Sequence, residues 1–394
     1  MIYATQKLGE ICHTFTGGTP SRTKTEYFGG GIPWVKITDM LQGIVLRTDE
    51  SLSDAGIANS SAKLLPEGTV LISIFATIGR TAVLGIEAAT NQAIAGVVPH
   101  DTNELDSKYL RYFLDSQHGE LNRVARGVAQ PNINQGILRD LEVPVPPMQE
   151  QRRIVDILSR AEGIVRLRRE AEKKAAELIP ALFLDLFGDP ATNPKGLALR
   201  KVSEYVTKFE GGKNIQAGSE NGSPYRILKV SAVTSGAYRE LESKPSPDGY
   251  APSVSHIVRE GDMLFSRANT EELVGATALV GKTNGKTLLP DKLWRFVWSE
   301  PVESAYMHAL FQSSNVRKEL GKLSSGTSAS MRNISQGKLF NLTLPVAPHE
   351  AQIAFAERAE TIRSIQSQQS AATAKAHATF DALLAHCFTQ PTTA

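Results

Sequence analysis

At 394 residues, 41% hydrophobic and 21% charged, the chain can hold two or three domains with their own cores, which excludes a disordered or fibrous protein. Its formal net charge of +2 excludes nucleic-acid binding through an overall basic excess and leaves a local basic surface as the route to such a ligand. Two cysteines, Cys12 and Cys387, exclude a disulfide framework and fit a reducing compartment.

In chain order, the opening Met1-Ile2-Tyr3-Ala4-Thr5-Gln6-Lys7 has no basic-then-apolar leader, and no later run approaches the roughly 20 apolar residues of a membrane span. A soluble cytoplasmic protein with no membrane partner is expected. Short apolar runs at 70–75, 82–84 and 93–98, bounded by Gly, Pro and Asn, predict strands. A helix is predicted over 107–118, with Tyr109, Leu110, Phe113 and Leu114 on one face. A long helix follows Pro146-Pro147, where proline suits a helix entrance. Its steps alternate between three and four through Ile154, Ile157, Ala161, Ile164, Arg168, Ala171, Ala175, Leu178 and Leu182. That spacing predicts a seam of about four heptads with Arg168 as the one polar intruder. Pro180 is expected to kink or loosen the last turn, and Gly188-Asp189-Pro190 ends the helix.

The remainder repeats this plan, with strands predicted at 263–265, 276–280 and 293–297 and a helix over 304–313. A second long helix follows Pro348 in a looser register through Phe355, Arg358, Ile362, Ile365, Gln369, Ala372, Ala376, Thr379 and Leu383. The repeat is visible in the residues themselves, at a period of about 200, too long for a solenoid unit. Gly68-Thr69-Val70-Leu71-Ile72-Ser73 answers Gly261-Asp262-Met263-Leu264-Phe265-Ser266. Asn132-Ile133-Asn134-Gln135-Gly136 answers Asn333-Ile334-Ser335-Gln336-Gly337, and Leu141-Glu142-Val143-Pro144-Val145 answers Leu342-Thr343-Leu344-Pro345-Val346. The fold class expected is therefore mixed α/β. Two similar globular domains (1–146 and 189–347) are each followed by a long helix (147–188 and 348–394). The helices are expected to pair as an antiparallel coiled coil with pseudo-two-fold symmetry, using Ile154, Ile157, Ile164 and Leu178 against Phe355, Ile362, Ile365 and Leu383.

Two segments carry a family resemblance. Gly17-Gly18-Thr19-Pro20-Ser21 and Tyr27-Phe28-Gly29-Gly30-Gly31-Ile32-Pro33-Trp34-Val35 resemble the opening of a target recognition domain of a type I restriction–modification specificity subunit. Val143-Pro144-Val145-Pro146-Pro147-Met148-Gln149-Glu150-Gln151-Arg152-Arg153-Ile154-Val155 resembles that family's entry into its spacer helix. The resemblance implies a non-catalytic subunit that reads a bipartite, asymmetric site on double-stranded DNA. It also implies two methyltransferase subunits carrying S-adenosylmethionine, with restriction–translocation subunits in assemblies that cleave, and no cofactor on this chain. In the second copy Arg226-Ile227-Leu228-Lys229 lacks the Pro-Trp pair, and Pro348-His349-Glu350-Ala351-Gln352 dilutes the junction. A recognition subunit of another methylation-based defence complex and a helical scaffold for proteins stay open as alternatives.

Phosphate contacts call for Lys and Arg, and base contacts for forked side chains such as Arg, Asn and Gln. The first copy offers Arg22, Lys24, Lys36, Arg80, Arg126, Gln130, Asn132 and Asn134, and the second Lys213, Lys229, Arg267, Asn269, Lys322, Arg332 and Asn333. For Asn132 and Asn333 a turn or helix cap is the competing reading. No catalytic or metal site is expected. Asp189-Pro190-Ala191 and Asn193-Pro194-Lys195 lack the second proline and aromatic of an amino-methyltransferase motif. Gly281-Lys282-Thr283-Asn284-Gly285-Lys286-Thr287 has Val280 where a phosphate-binding loop needs glycine. Ser21–Lys24 and Ser60–Lys63 match Ser-x-x-Lys by spacing alone, and His386-Cys387 cannot fill a four-ligand zinc site.

Overall fold

The computed structural model describes residues 3–75, 77–125, 132–220, 222–328 and 331–388. The chain divides into two compact units, Met1–Arg169 with Ala371–Ala394, and Glu170–Ser370. Each unit is mixed α/β and contains parts of both long helices, Met148–Phe187 and His349–Phe388.

In the first unit a five-stranded sheet runs in the order Cys12–Thr16, Ile94–Pro99, Val70–Ser73, Thr81–Leu84 and Ile44–Val45. Only the last pairing is parallel. The four residues Val70–Ser73 are all buried, and their alternation feeds two cores. Val70 and Ile72 pack with Tyr109, Leu110 and Phe113 of helix Ser107–Ser116, while Leu71 packs with Val35, Val45 and Leu84 on the opposite face. Asp106 caps that helix by accepting from the backbone N–H groups of Lys108 and Tyr109. Strand Thr5–Lys7 pairs antiparallel with Glu142–Pro144, so the chain enters and leaves the domain side by side.

The second unit repeats the frame. Its antiparallel sheet runs Val206–Gly211, Leu293–Trp298, Met263–Ser266 and Thr277–Leu279, and a single parallel bridge from Ala237 to Leu279 stands where the first unit has a fifth strand. Met263 and Phe265 face Tyr306, Leu310 and Phe311 of helix Ser304–Gln312, and Leu264 faces Leu228 and Ala278. The hydroxyls of Tyr109 and Tyr306 occupy equivalent places. One donates to the Pro144 carbonyl at 2.8 Å, and the other accepts from the Ala347 N–H at 2.9 Å.

The long helices are each 40 residues, about 60 Å at 1.5 Å per residue. Within the second unit they run antiparallel. Gln366 Nε2 donates to the Ala175 carbonyl at 2.7 Å, and further on Phe183 meets Phe355 edge-on at 5.9 Å. In the first unit Ile154 and Leu158 share one core with Leu384 and Phe388. The helix continues past Pro180 and ends at Phe187, where Gly188 takes a left-handed φ of 74°.

The expected heptad seam is corrected in register. Ile154 and Phe355 are buried, and Leu383 packs at the core edge, but Ile164 is 53% exposed, Leu178 44% and Ile365 43%. Ile157 and Ile362 are half-buried. The buried positions are Gln151, Ile154, Leu158 and Val165, then Ala175, Phe183 and Phe187 on the first helix, with Gln352, Phe355, Ala359, Thr373, Leu384 and Phe388 on the second. Each helix buries its stripe largely against a globular domain. The stripe therefore follows the 3.6-residue period of a straight helix rather than the 3.5 of a supercoiled pair.

Candidate nucleic-acid interface

In the first unit the Gly17-Gly18 segment is a close-packing device. A Cβ on Gly17 would stand 2.0 Å from the Asn91 carbonyl oxygen, and one on Gly18 would stand 2.2 Å from the Ala62 nitrogen. Trp34, buried beneath, donates its indole N–H to the Gly18 carbonyl at 3.1 Å. Above this layer the Arg22 guanidinium lies 4.6 Å from the Phe28 ring centroid and 5.1 Å from that of Trp34. Glu50 joins Arg22 at 2.7 Å and Lys36 at 2.8 Å. Hydrogen bonds from Arg22 and then Lys36 hold the Glu50 carboxyl below the usual carboxylate range. Lys24 reaches the Tyr27 hydroxyl at 3.3 Å.

Among the described residues, the other candidates in this unit make no hydrogen bond or ion pair with this cluster. Arg80 is half-buried after Gly79, and its backbone N–H donates to Ser73 Oγ at 2.9 Å. Asn134 is a helix cap, accepting from the Ile137 N–H at 2.9 Å, whereas Asn132 is half-buried just before Ile133 and is not the cap. Arg126 and Gln130 lie outside the described residues.

The second unit gathers three of its seven candidates on one small sheet, Ala268–Asn269, Met331–Asn333 and Ser325–Ser328, with Arg267 next to it in sequence. Asn269 and Arg332 are direct cross-strand partners. Arg267, at the edge of this sheet, donates from Nη1 to Asn333 Oδ1 at 3.0 Å and from Nε to the Asp291 carbonyl at 2.7 Å. Its guanidinium also lies 5.5 Å from the Trp294 ring centroid, so two chain segments, 291–294 and the strand ending at Asn333, fix it. Asn333 is thus a side-chain acceptor rather than a cap, and Ser335 caps the following helix by accepting from the Lys338 N–H at 3.3 Å. Arg332 Nε donates to Ser324 Oγ at 3.1 Å. Lys213 and Lys229 are exposed on other segments, and Lys322 pairs with Glu319 along its own helix.

Sequence reading missed Met331, 64% exposed beside Arg332, whose signal is a large apolar residue at the end of a polar strand. It also missed Glu50, because the ion pairs that reveal it join segments distant in sequence. Three donors of the Gly281–Thr287 turn are committed to one carboxylate of the protein. Glu240 Oε1 accepts from Thr283 Oγ1 at 2.6 Å, Thr287 Oγ1 at 2.9 Å and the Asn284 N–H at 3.0 Å. Ser21 Oγ faces Thr23 Oγ1 at 2.9 Å while Lys24 turns to Tyr27, so no base activates that serine. Among the described residues no group of three or more His, Cys, Asp or Glu could hold a metal, and no helix is long and apolar enough to cross a membrane.

Residues 3–177 match the family model of the type I restriction modification DNA specificity domain. Over that stretch the chain is similar to type I specificity subunits. It is 27% identical over 259 residues to the MjaIX specificity subunit of Methanocaldococcus jannaschii, covering 64% of this chain and 58% of that one. To the EcoR124I/EcoR124II specificity subunit of Escherichia coli it is 30% identical over 178 residues, covering 43% and 44%. These matches span about half the length of the curated relatives. In fold, this specificity-subunit relative is similar to the crystal structure of the S subunit from M. genitalium, with a TM-score of 0.56, 13% identity and coverage of 99% and 97%.

Proposed function

We propose that the chain is the DNA-recognition subunit of a type I restriction–modification complex, each unit reading one half of a bipartite, asymmetric target. The carrying observation is that two equivalent frames present different polar side chains. The first displays Arg22 and Lys36 around Glu50, and the second displays Arg267 and Asn333 with Asn269 and Arg332. Like frames carrying unlike readers favour a target whose halves differ, where identical subunits favour a palindrome. The subunit contributes no chemistry in this reading. Two methyltransferase subunits supply S-adenosylmethionine, and restriction–translocation subunits join where the complex cleaves. Exposed apolar residues on the long helices, among them Ile164 and Leu167 in the first unit, support partner docking there. The test is fluorescence anisotropy on duplexes altered in one half at a time, across a salt series. Expected is half-specific loss of affinity on a background that weakens steeply with salt. Equal binding to all duplexes would refute sequence reading.

A further inference from the structure

The two units differ sharply at one internal position. In the first, Arg111 and Glu162 form a two-pronged ion pair, with Arg111 Nη1 donating to Glu162 Oε2 at 2.9 Å. Tyr112 adds its hydroxyl to Glu162 Oε2 at 2.8 Å, and its ring faces Phe380 at 6.4 Å. That space is filled by the chain's own carboxylate and aromatic rings.

At the equivalent positions of the second unit stand His308 for Arg111, Ala309 for Tyr112, Arg363 for Glu162 and Ile179 for Phe380. Two rings are gone, and a guanidinium has replaced the carboxylate; among the described residues its ion pair is with Glu360, on its own helix. A cavity of about 1040 Å³ results, lined by Ile179, Phe183, His308, Ala309, Gln312 and Arg363 among others. Its volume lies just above the usual range of small-molecule sites, and its largely apolar wall with a few converging polar groups is their usual character.

The polar groups show what is missing. His308 Nδ1 lies 2.9 Å from Thr277 Oγ1, and burial, reinforced by the Arg363 charge, pushes its pKa down to about 4, so the ring is neutral near pH 7. Of the two carboxylates on the wall, Asp189 is held by Asn315 Nδ2 at 2.7 Å and the Ala191 N–H at 2.9 Å, while Glu172 forms no ion pair with Arg363 among the described residues. Arg363 pairs at 3.3 Å with Glu360, a side chain that is 76% exposed. A half-buried cation with so weak a counterion gains from a desolvated anion.

We infer that the second unit holds a site for an aromatic carboxylate, its ring filling the space beside Ala309 and Ile179 and its carboxylate paired with Arg363. The ligand restores what Glu162, Tyr112 and Phe380 supply in the first unit. This inference is independent of how either unit reads DNA.

The test is calorimetric titration of the full chain with 1-naphthylacetate and with the neutral 1-naphthylacetamide, alongside thermal unfolding. Expected is binding of the acid, at least tenfold weaker binding of the amide, and loss of that preference in Arg363→Gln. Ala309→Tyr should abolish binding and raise the melting temperature of the ligand-free protein; Ile179→Phe serves the same purpose if that variant does not fold. No heat at millimolar acid from folded protein would mean that water alone fills the cavity, and would overturn the proposal. Equal affinity for acid and amide, or unchanged binding in a folded cavity-filling variant, would overturn it too.

Discussion

Gln151 and Gln352, buried at equivalent points of the two helix entrances, share two hydrogen bonds, and Gln151 Nε2 adds a third to the Glu104 carbonyl at 2.8 Å. Gln151 Nε2 donates to the Pro146 carbonyl at 2.8 Å and its Oε1 accepts from the Asp106 N–H at 2.9 Å. Gln352 Nε2 donates to the Ala347 carbonyl at 2.9 Å and its Oε1 accepts from the Glu303 N–H at 3.0 Å. Each amide ties the start of a long helix to the start of the short helix packed on the sheet. Gln151→Leu keeps the volume but strands these buried backbone groups, so a loss of about 3 kcal/mol is expected in urea unfolding, and similarly for Gln352→Leu.

The register of the long helix can be checked with two substitutions. Leu158→Ala removes a fully buried side chain and should cost about 2–4 kcal/mol. Ile164→Asp changes an exposed position and should leave the melting temperature of the isolated chain nearly unchanged. If the proposed function holds, the same Ile164→Asp chain should lose co-purifying methyltransferase, which a pull-down reads.

In the proposed reading Arg267 acts through geometry as well as charge. Arg267→Lys keeps the charge but loses the fork that spans Asn333 and the Asp291 carbonyl. Binding to unrelated DNA should hold within about twofold while discrimination at one half-site falls about tenfold. Asn333→Ala should lose much of the same discrimination, and the double variant should be no worse than Arg267→Lys alone.

Glu50 restrains two cations at once. Glu50→Gln removes one negative charge between Arg22 and Lys36, so binding to non-specific DNA should strengthen at low salt. Sequence discrimination in the first half-site should fall, because the two cations lose their shared anchor. Anisotropy titrations at two salt concentrations separate the effects.

The depressed His308 pKa sets a pH dependence of stability. The unfolded ring takes up a proton near its ordinary pKa of 6.5, whereas the folded ring does so only at about 4. Between those values the unfolded state binds more protons, so stability falls as pH drops through the window. The contribution at stake is up to about 3 kcal/mol. Chemical denaturation at pH 7 and pH 4.5 should show this slope, and His308→Gln should reduce it.

Much of the fold was legible because period and punctuation are local. Tyr109, Leu110, Phe113 and Leu114 mark one helix face, and that helix runs Ser107–Ser116. The seam was misplaced because a three-four alternation fits both a coiled-coil partner and a domain surface over a few turns. The two readings separate only where Ile164 and Leu178 turn outward. The candidate site was legible in residue type but not in grouping. Arg267 finds Asp291 and Asn333 only after three strands fold together, and Glu50 reaches Arg22 and Lys36 across a loop. Asn132 and Asn134 show the limit most plainly, since two asparagines two residues apart differ in which one caps the helix.

The central claim is that this chain chooses a DNA sequence. The most direct measurement is base-resolution methylation mapping in a host lacking its own modification, expressing the methyltransferase partner with and without this subunit. The account predicts one split, asymmetric methylated motif that appears only when the subunit is present and changes in one half when residues 198–347 are exchanged for those of another family member. The same methylation pattern with and without the subunit, from a methyltransferase shown to be active, would contradict it.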